Sequence, residues 1–91
     1  MILKEGFLMH KIRISAIQSG SIAEELGIEA GDLLLSINGC EIKDIFDYRY
    51  HIADSEISVE IEKKNGDVWQ LEIEKDEAED LGLEFENSLI D

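Results

Sequence analysis

The side chains able to do chemistry in this chain are few, and their spacing does not suit catalysis. His10, His51 and Cys40 are the soft metal ligands. The flanking residues put them on a terminal arm, a helix and a strand turn, a spacing with nothing metal-specific about it. Cys40 follows an Asn-Gly turn with Glu41 beside it, whereas a reactive thiol needs a cationic neighbour. Asp76, Glu77, Glu79 and Asp80 are the densest carboxylate run, but they lack the spacing of a calcium-binding loop and read as a solvated acidic face. Carboxylate pairs for acid/base work need a cleft that desolvates one partner, and a short chain of strands and small helices offers little depth for that. Ser15, Ser21, Ser36, Ser55, Ser58 and Ser88 have no histidine nearby in a recognisable order. No catalytic residue, metal site or cofactor is expected in this chain, and it does not read as an enzyme by itself.

Interaction with another macromolecule is the remaining class, and charge narrows the partner. The 91 residues carry 22 Asp and Glu against 8 Lys and Arg, a formal net charge of -14. Such a surface repels phosphate backbones and anionic lipid, so nucleic acid and membrane are not expected partners. The apolar fraction of 44% permits one packed core, and the length suits one domain. A lone cysteine rules out an intrachain disulfide and fits a reducing, cytoplasmic location. Residues 1–10 hold Glu5 and Gly6 where a signal peptide needs an unbroken apolar centre. No apolar run approaches the roughly 20 residues of a membrane span.

The elements follow from period and punctuation. Residues 1–10 read as an N-terminal arm, with Met9 as an alternative start. Lys11 to Ile17 alternates and predicts a half-buried strand with Ile12 and Ile14 inward. Gly20-Ser21-Ile22-Ala23-Glu24-Glu25-Leu26-Gly27 has the pattern of a capping box and a glycine stop, so a helix of no more than about two turns is expected. Leu33 to Ile37 is a short apolar strand leading into an Asn38-Gly39 turn. Asp44 is a good N-cap with Asp47 in the first turn, and Ile45, Tyr48, Arg49 and Ile52 share one face of a helix ending near Asp54. Ile57 to Glu62 and Val68 to Glu74 alternate around Lys63-Lys64-Asn65-Gly66-Asp67 and predict a hairpin. Its outer face carries Glu60, Glu62, Glu72 and Glu74, and Trp69 reads as a packing residue. Leu81, Leu83 and Phe85 alternate again, and the apolar Leu89-Ile90 near the end makes residues 88–91 read as the start of a connection to something downstream.

The stretch from Gly20 to Gly39 resembles the run that bacterial PDZ domains carry as Gly-Ser-Pro-Ala, Ala-Gly, Pro-Gly-Asp, an apolar strand and Asn-Gly, with Ile22 and Ala30 where that family usually has prolines. The resemblance implies a mainly β fold with two short helices over residues 11–87, a partly open barrel or sandwich. It also implies a loop of the pattern apolar-Gly-apolar whose N–H groups receive a carboxylate, followed by a strand that a peptide extends. Gly6-Phe7-Leu8 lies too near Ile12 for such a loop and its strand to fit at about 3.3 Å per residue. Leu81-Gly82-Leu83, followed by Glu84-Phe85-Glu86, supplies the pattern at the other end. The fold is then circularly permuted, with the carboxylate-loop strand last. The alternative is an ordinary last strand in which the glycine marks a bulge.

On that resemblance the peptide-binding residues are Leu81, Gly82, Leu83, Glu84 and Phe85 on the loop and strand, with Ile45, Tyr48, Arg49 and Ile52 on the facing helix. Glu79 and Asp80 stand where many members of the family have a basic residue and would repel a free carboxylate, with Arg49 or Lys75 as the offset. The first functional reading is an interaction module for a peptide tail, an internal segment or a segment of its own downstream region. The second draws on Glu79 to Glu86 and the acidic hairpin, which look like the N-terminal PDZ domain of bacterial iron-sulfur, radical-SAM-like proteins. It makes the chain a regulatory or substrate-positioning domain of an oxidoreductase whose cluster cysteines are not in this chain. The third is a weak homodimer formed through the exposed groove strand.

Overall fold

Alternating segments and short capped helices assemble into one antiparallel sheet. A computed structural model of the chain describes residues 11–85. The expected arm over 1–10 with its Gly6-Phe7-Leu8 candidate, Glu86 of the last strand, the domain end at 87 and the connection over 88–91 lie outside the described residues. Strands β1 (Ile12–Ile17), β2 (Leu33–Ile37), β3 (Glu56–Glu62), β4 (Val68–Glu74) and β5 (Leu83–Phe85) are joined by helices α1 (Ile22–Leu26) and α2 (Ile45–Ile52). The sheet order is β4-β3-β2-β1-β5, antiparallel throughout. The last strand therefore lies beside the first, and among the described residues the sheet is open, with β4 and β5 as its edges.

Local chemistry sets the helix ends. The Ser21 side chain accepts the Glu24 N–H at 3.2 Å. The return arm of the box differs from the usual one: Glu24 Oε1 takes the Gly20 N–H, while the Ser21 N–H goes to the Gln18 carbonyl. Gly27, at φ 87°, ends α1 with paired bonds from its own N–H to Glu24 O and from the Ile28 N–H to Ala23 O, the left-handed stop that glycine provides without strain. Asp44 accepts the Asp47 N–H at 2.8 Å and Asp47 returns the bond to the Lys43 N–H at 3.1 Å. Asp44→Ala should therefore cost about 1 kcal/mol of stability in urea denaturation; an unchanged midpoint would remove the cap from the account.

The hairpin register puts Ile57 opposite Ile73, Val59 opposite Leu71 and Ile61 opposite Trp69 on the inner face. Ile14, Leu34, Ile37, Ile42, Val59, Ile61 and Leu81 are fully buried, each burial being worth about 1.5–3 kcal/mol over exposure. The outer face pairs Glu56 with Glu74 and Ser58 with Glu72, the acidic field that alternation predicts. One charged pair enters the interior instead. Lys63 Nζ donates to the fully buried Asp32 carboxylate and to Gly27 O, and lies 4.4 Å from the Trp69 ring centre.

β5 is held to β1 by an irregular ladder. Ile14 faces Phe85, Ala16 faces Glu84 and Ile17 faces Leu83, so the extra residue is Ser15 of β1. The bulge sits in the first strand and not at Gly82, contrary to the alternative reading of the last strand. Ser15 Oγ then donates to the Glu84 carbonyl at 3.1 Å, re-using the residue the bulge displaces.

Candidate functional site

The loop before β5 is pinned on both sides of its glycine. The Ala23 N–H bonds the Leu81 carbonyl and the Gln18 N–H bonds the Gly82 carbonyl, each at 2.9 Å. Gly82 has φ +92°, and a Cβ there would overlap the Ser21 side chain. Leu81 is fully buried beneath the loop. The result is an apolar-Gly-apolar turn set against the start of α1, leading directly into an edge strand.

The side of that strand away from β1 carries main-chain groups of its own. The carbonyls of Gly82 and Glu84 turn toward β1, so strand alternation turns the main-chain groups of Leu83 and Phe85 the other way, toward the side on which no described strand lies. Helix α2 stands over this region. The Tyr48 and Phe85 rings meet edge to face, with centroids 5.0 Å apart. The Tyr48 hydroxyl reaches Asp80 Oδ1 at 3.5 Å. Burial, with the neighbouring Asp80 charge and hydrogen bond adding to it, pushes the Tyr48 phenol well above its ordinary range, while a backbone hydrogen bond from Leu83 works in the opposite direction. Tyr48 therefore acts as a neutral donor to Asp80.

Between α2 and the 77–83 segment runs a cleft of about 460 Å³. Of the residues expected in the site, Ile45, Tyr48, Arg49, Ile52 and Leu83 line it. Leu81 and Gly82 are buried behind the loop, Glu84 is exposed, and Phe85 is half-buried against Tyr48. Lys75 is not among the lining residues; its amine bonds the Asp76 carbonyl. Ala53, Glu77 and Ala78 line the cleft without having been anticipated. Asp80 was expected only as a repulsive charge. Instead its Oδ2 accepts the Gly82 N–H at 3.2 Å. An acidic side chain bonding its own main chain two residues on is a signal the Asp80-Leu81-Gly82 spacing already carried.

Cys40 is exposed, and His51 packs edge-on to Tyr50 at 5.1 Å; His10 lies outside the described residues. Among the described residues no group of three or more His, Cys, Asp or Glu side chains is placed to hold a metal ion. Nor is any helix among them long and apolar enough to cross a membrane.

A family model described as PDZ domain matches residues 13–63, more than half of the chain, from β1 to just past the end of β3 and including both helices. No curated protein matches the chain.

Proposed function

Because this chain belongs to the PDZ domain family, whose members are protein-interaction modules, we propose that it takes an extended protein segment as an added strand along the free side of β5. The observation that carries this reading is the coincidence of a cleft with a sheet edge beyond which no described strand lies: the Leu83 carbonyl and the Phe85 main chain supply pairing, and Ile45, Ile52 and Leu83 supply an apolar floor for alternate side chains. The single Cys40 supports a cytoplasmic setting. The resemblance to iron-sulfur proteins supports a place at the head of a longer chain.

Amide chemical shifts read this directly. Titration with an extended peptide should move the Leu83, Phe85 and Ile52 resonances and leave the β3–β4 hairpin unmoved. Ile45→Lys, which sets a cation on the apolar floor, should weaken that binding by about tenfold or more. Shifts confined to β4, or an Ile45→Lys variant that binds as before, would remove β5 as the docking edge. Pairing of β5 with a second copy is the competing occupant, and sedimentation over a range of concentrations reads it.

A further inference from the structure

Asp80 does more in the cleft than line it. One carboxylate holds the amide of the apolar-Gly-apolar turn, through Oδ2 to Gly82 N–H at 3.2 Å, and the phenol of the facing helix, through Oδ1 at 3.5 Å. An amide turned toward an anion is the donor that an incoming carboxylate would need, and here it already has one. Glu77 and Glu79 line the same cleft, with Arg49 as the cation beside them.

We infer that the cleft takes an extended segment from within a partner's chain, carrying a Lys or Arg side chain at the Asp80 end, and rejects a free carboxyl terminus. This rests on the docking reading above and specifies its occupant. A terminal carboxylate would have to displace Asp80 from Gly82, exchanging one charge-assisted bond for another, and would then lie beside the carboxylate it had displaced. Like charges so placed oppose binding. An internal segment leaves the Asp80 bond intact, pairs through its main chain with the Leu83 carbonyl and with Phe85, and brings its cation to Asp80 and its acidic neighbours. The complementarity is long-ranged as well as local, since the whole chain carries a formal charge of -14 and steers basic segments toward itself at low salt.

The test compares three acetylated decapeptides on the complete chain: one of alternating Thr, Val and Lys ending in a carboxamide, the same peptide ending in a free carboxylate, and a carboxamide version with Glu in place of Lys. Fluorescence anisotropy should rank the Lys carboxamide above the free acid by about tenfold or more, with the Glu peptide weakest, and raising salt should narrow the gap. Asp80→Ala should erase or reverse the discrimination against the free acid. Asp80→Asn, which keeps an acceptor for Gly82 N–H and removes the charge, should fall between, with both variants checked for an unchanged melting transition. A wild-type chain that binds the free acid as tightly as the carboxamide, with β5 resonances shifting, overturns this inference and leaves the docking reading standing. If none of the three peptides shifts the β5 resonances, both fail.

Discussion

Gly82→Ala should cost about 2–5 kcal/mol of folding stability, a sum of about 1–2 for a left-handed backbone with a side chain and about 1–3 for overpacking. The overlap falls on Ser21, and neither partner can yield cheaply. Ser21 is the cap of α1, its hydroxyl on the Glu24 N–H, while the main chain on either side of Gly82 is tied to Ala23 and Gln18. Moving the loop breaks those two bonds; moving Ser21 uncaps the helix. A second substitution separates the two causes. Ser21→Gly costs only a few tenths of a kcal/mol at a cap, so in the Gly82→Ala background it should recover the overpacking part and leave the backbone part. Denaturant titration of the single and double variants checks this. A loss under about 1 kcal/mol for Gly82→Ala, or no recovery in the double variant, would show that the turn is not seated against α1 as described. The same variant should weaken peptide capture, because Asp80 and Leu83 flank the displaced residue.

Features written in neighbouring residues are legible in the sequence itself. Ser21 with Glu24, Gly27, Asp44 with Asp47, and the alternation on both sides of Lys63 to Asp67 each specify their geometry within a few positions, and all appear in the structure except the return arm of the capping box, which Glu24 makes to the Gly20 N–H. The Leu81-Gly82-Leu83 turn is legible for the same reason, and its place at the carboxyl end follows from the lack of room for a loop and strand at the amino end, whereas its pairing with β1 is a fact of the structure alone. What escaped are facts about pairs distant in sequence. The β1 bulge exists only because β5 pairs there, although half-buried Ala16 and Ile17 in succession already break the period-two pattern. Asp80 was read as a charge facing solvent because its second partner, Tyr48, comes from another element. Nothing near Asp32 in sequence announces a lysine from the hairpin turn.

That buried pair sets the second large effect. Asp32 is fully buried, and its Oδ2 accepts both the Glu29 N–H at 2.8 Å and Lys63 Nζ. Its Oδ1 has no hydrogen-bond partner among the described residues, so Lys63 is the charge that makes this carboxylate tolerable inside. The lysine stem packs with only 10% of its side chain exposed, the amine also bonding Gly27 O at 2.8 Å. Lys63→Met keeps the stem and removes the charge, stranding Asp32, and should cost about 3–5 kcal/mol. Asp32→Asn keeps an acceptor for the Glu29 N–H and leaves the ammonium with only the exposed Glu29 carboxylate, 4.0 Å away, as counter-charge, so it should destabilise by less than Lys63→Met. The double variant should lose less than the two single losses added together, because the buried carboxylate that Lys63→Met strands is no longer charged once residue 32 is Asn. Salt distinguishes this pair from the surface pair of Lys11 and Glu62, 3.1 Å apart with Lys11 47% exposed. Raising ionic strength should erase what little Lys11→Met costs and leave the Lys63→Met loss nearly unchanged. Additive losses, or a Lys63→Met deficit that disappears in salt, would mean that water reaches Asp32 and that the turn closing over Glu29 is held by its main-chain bonds alone.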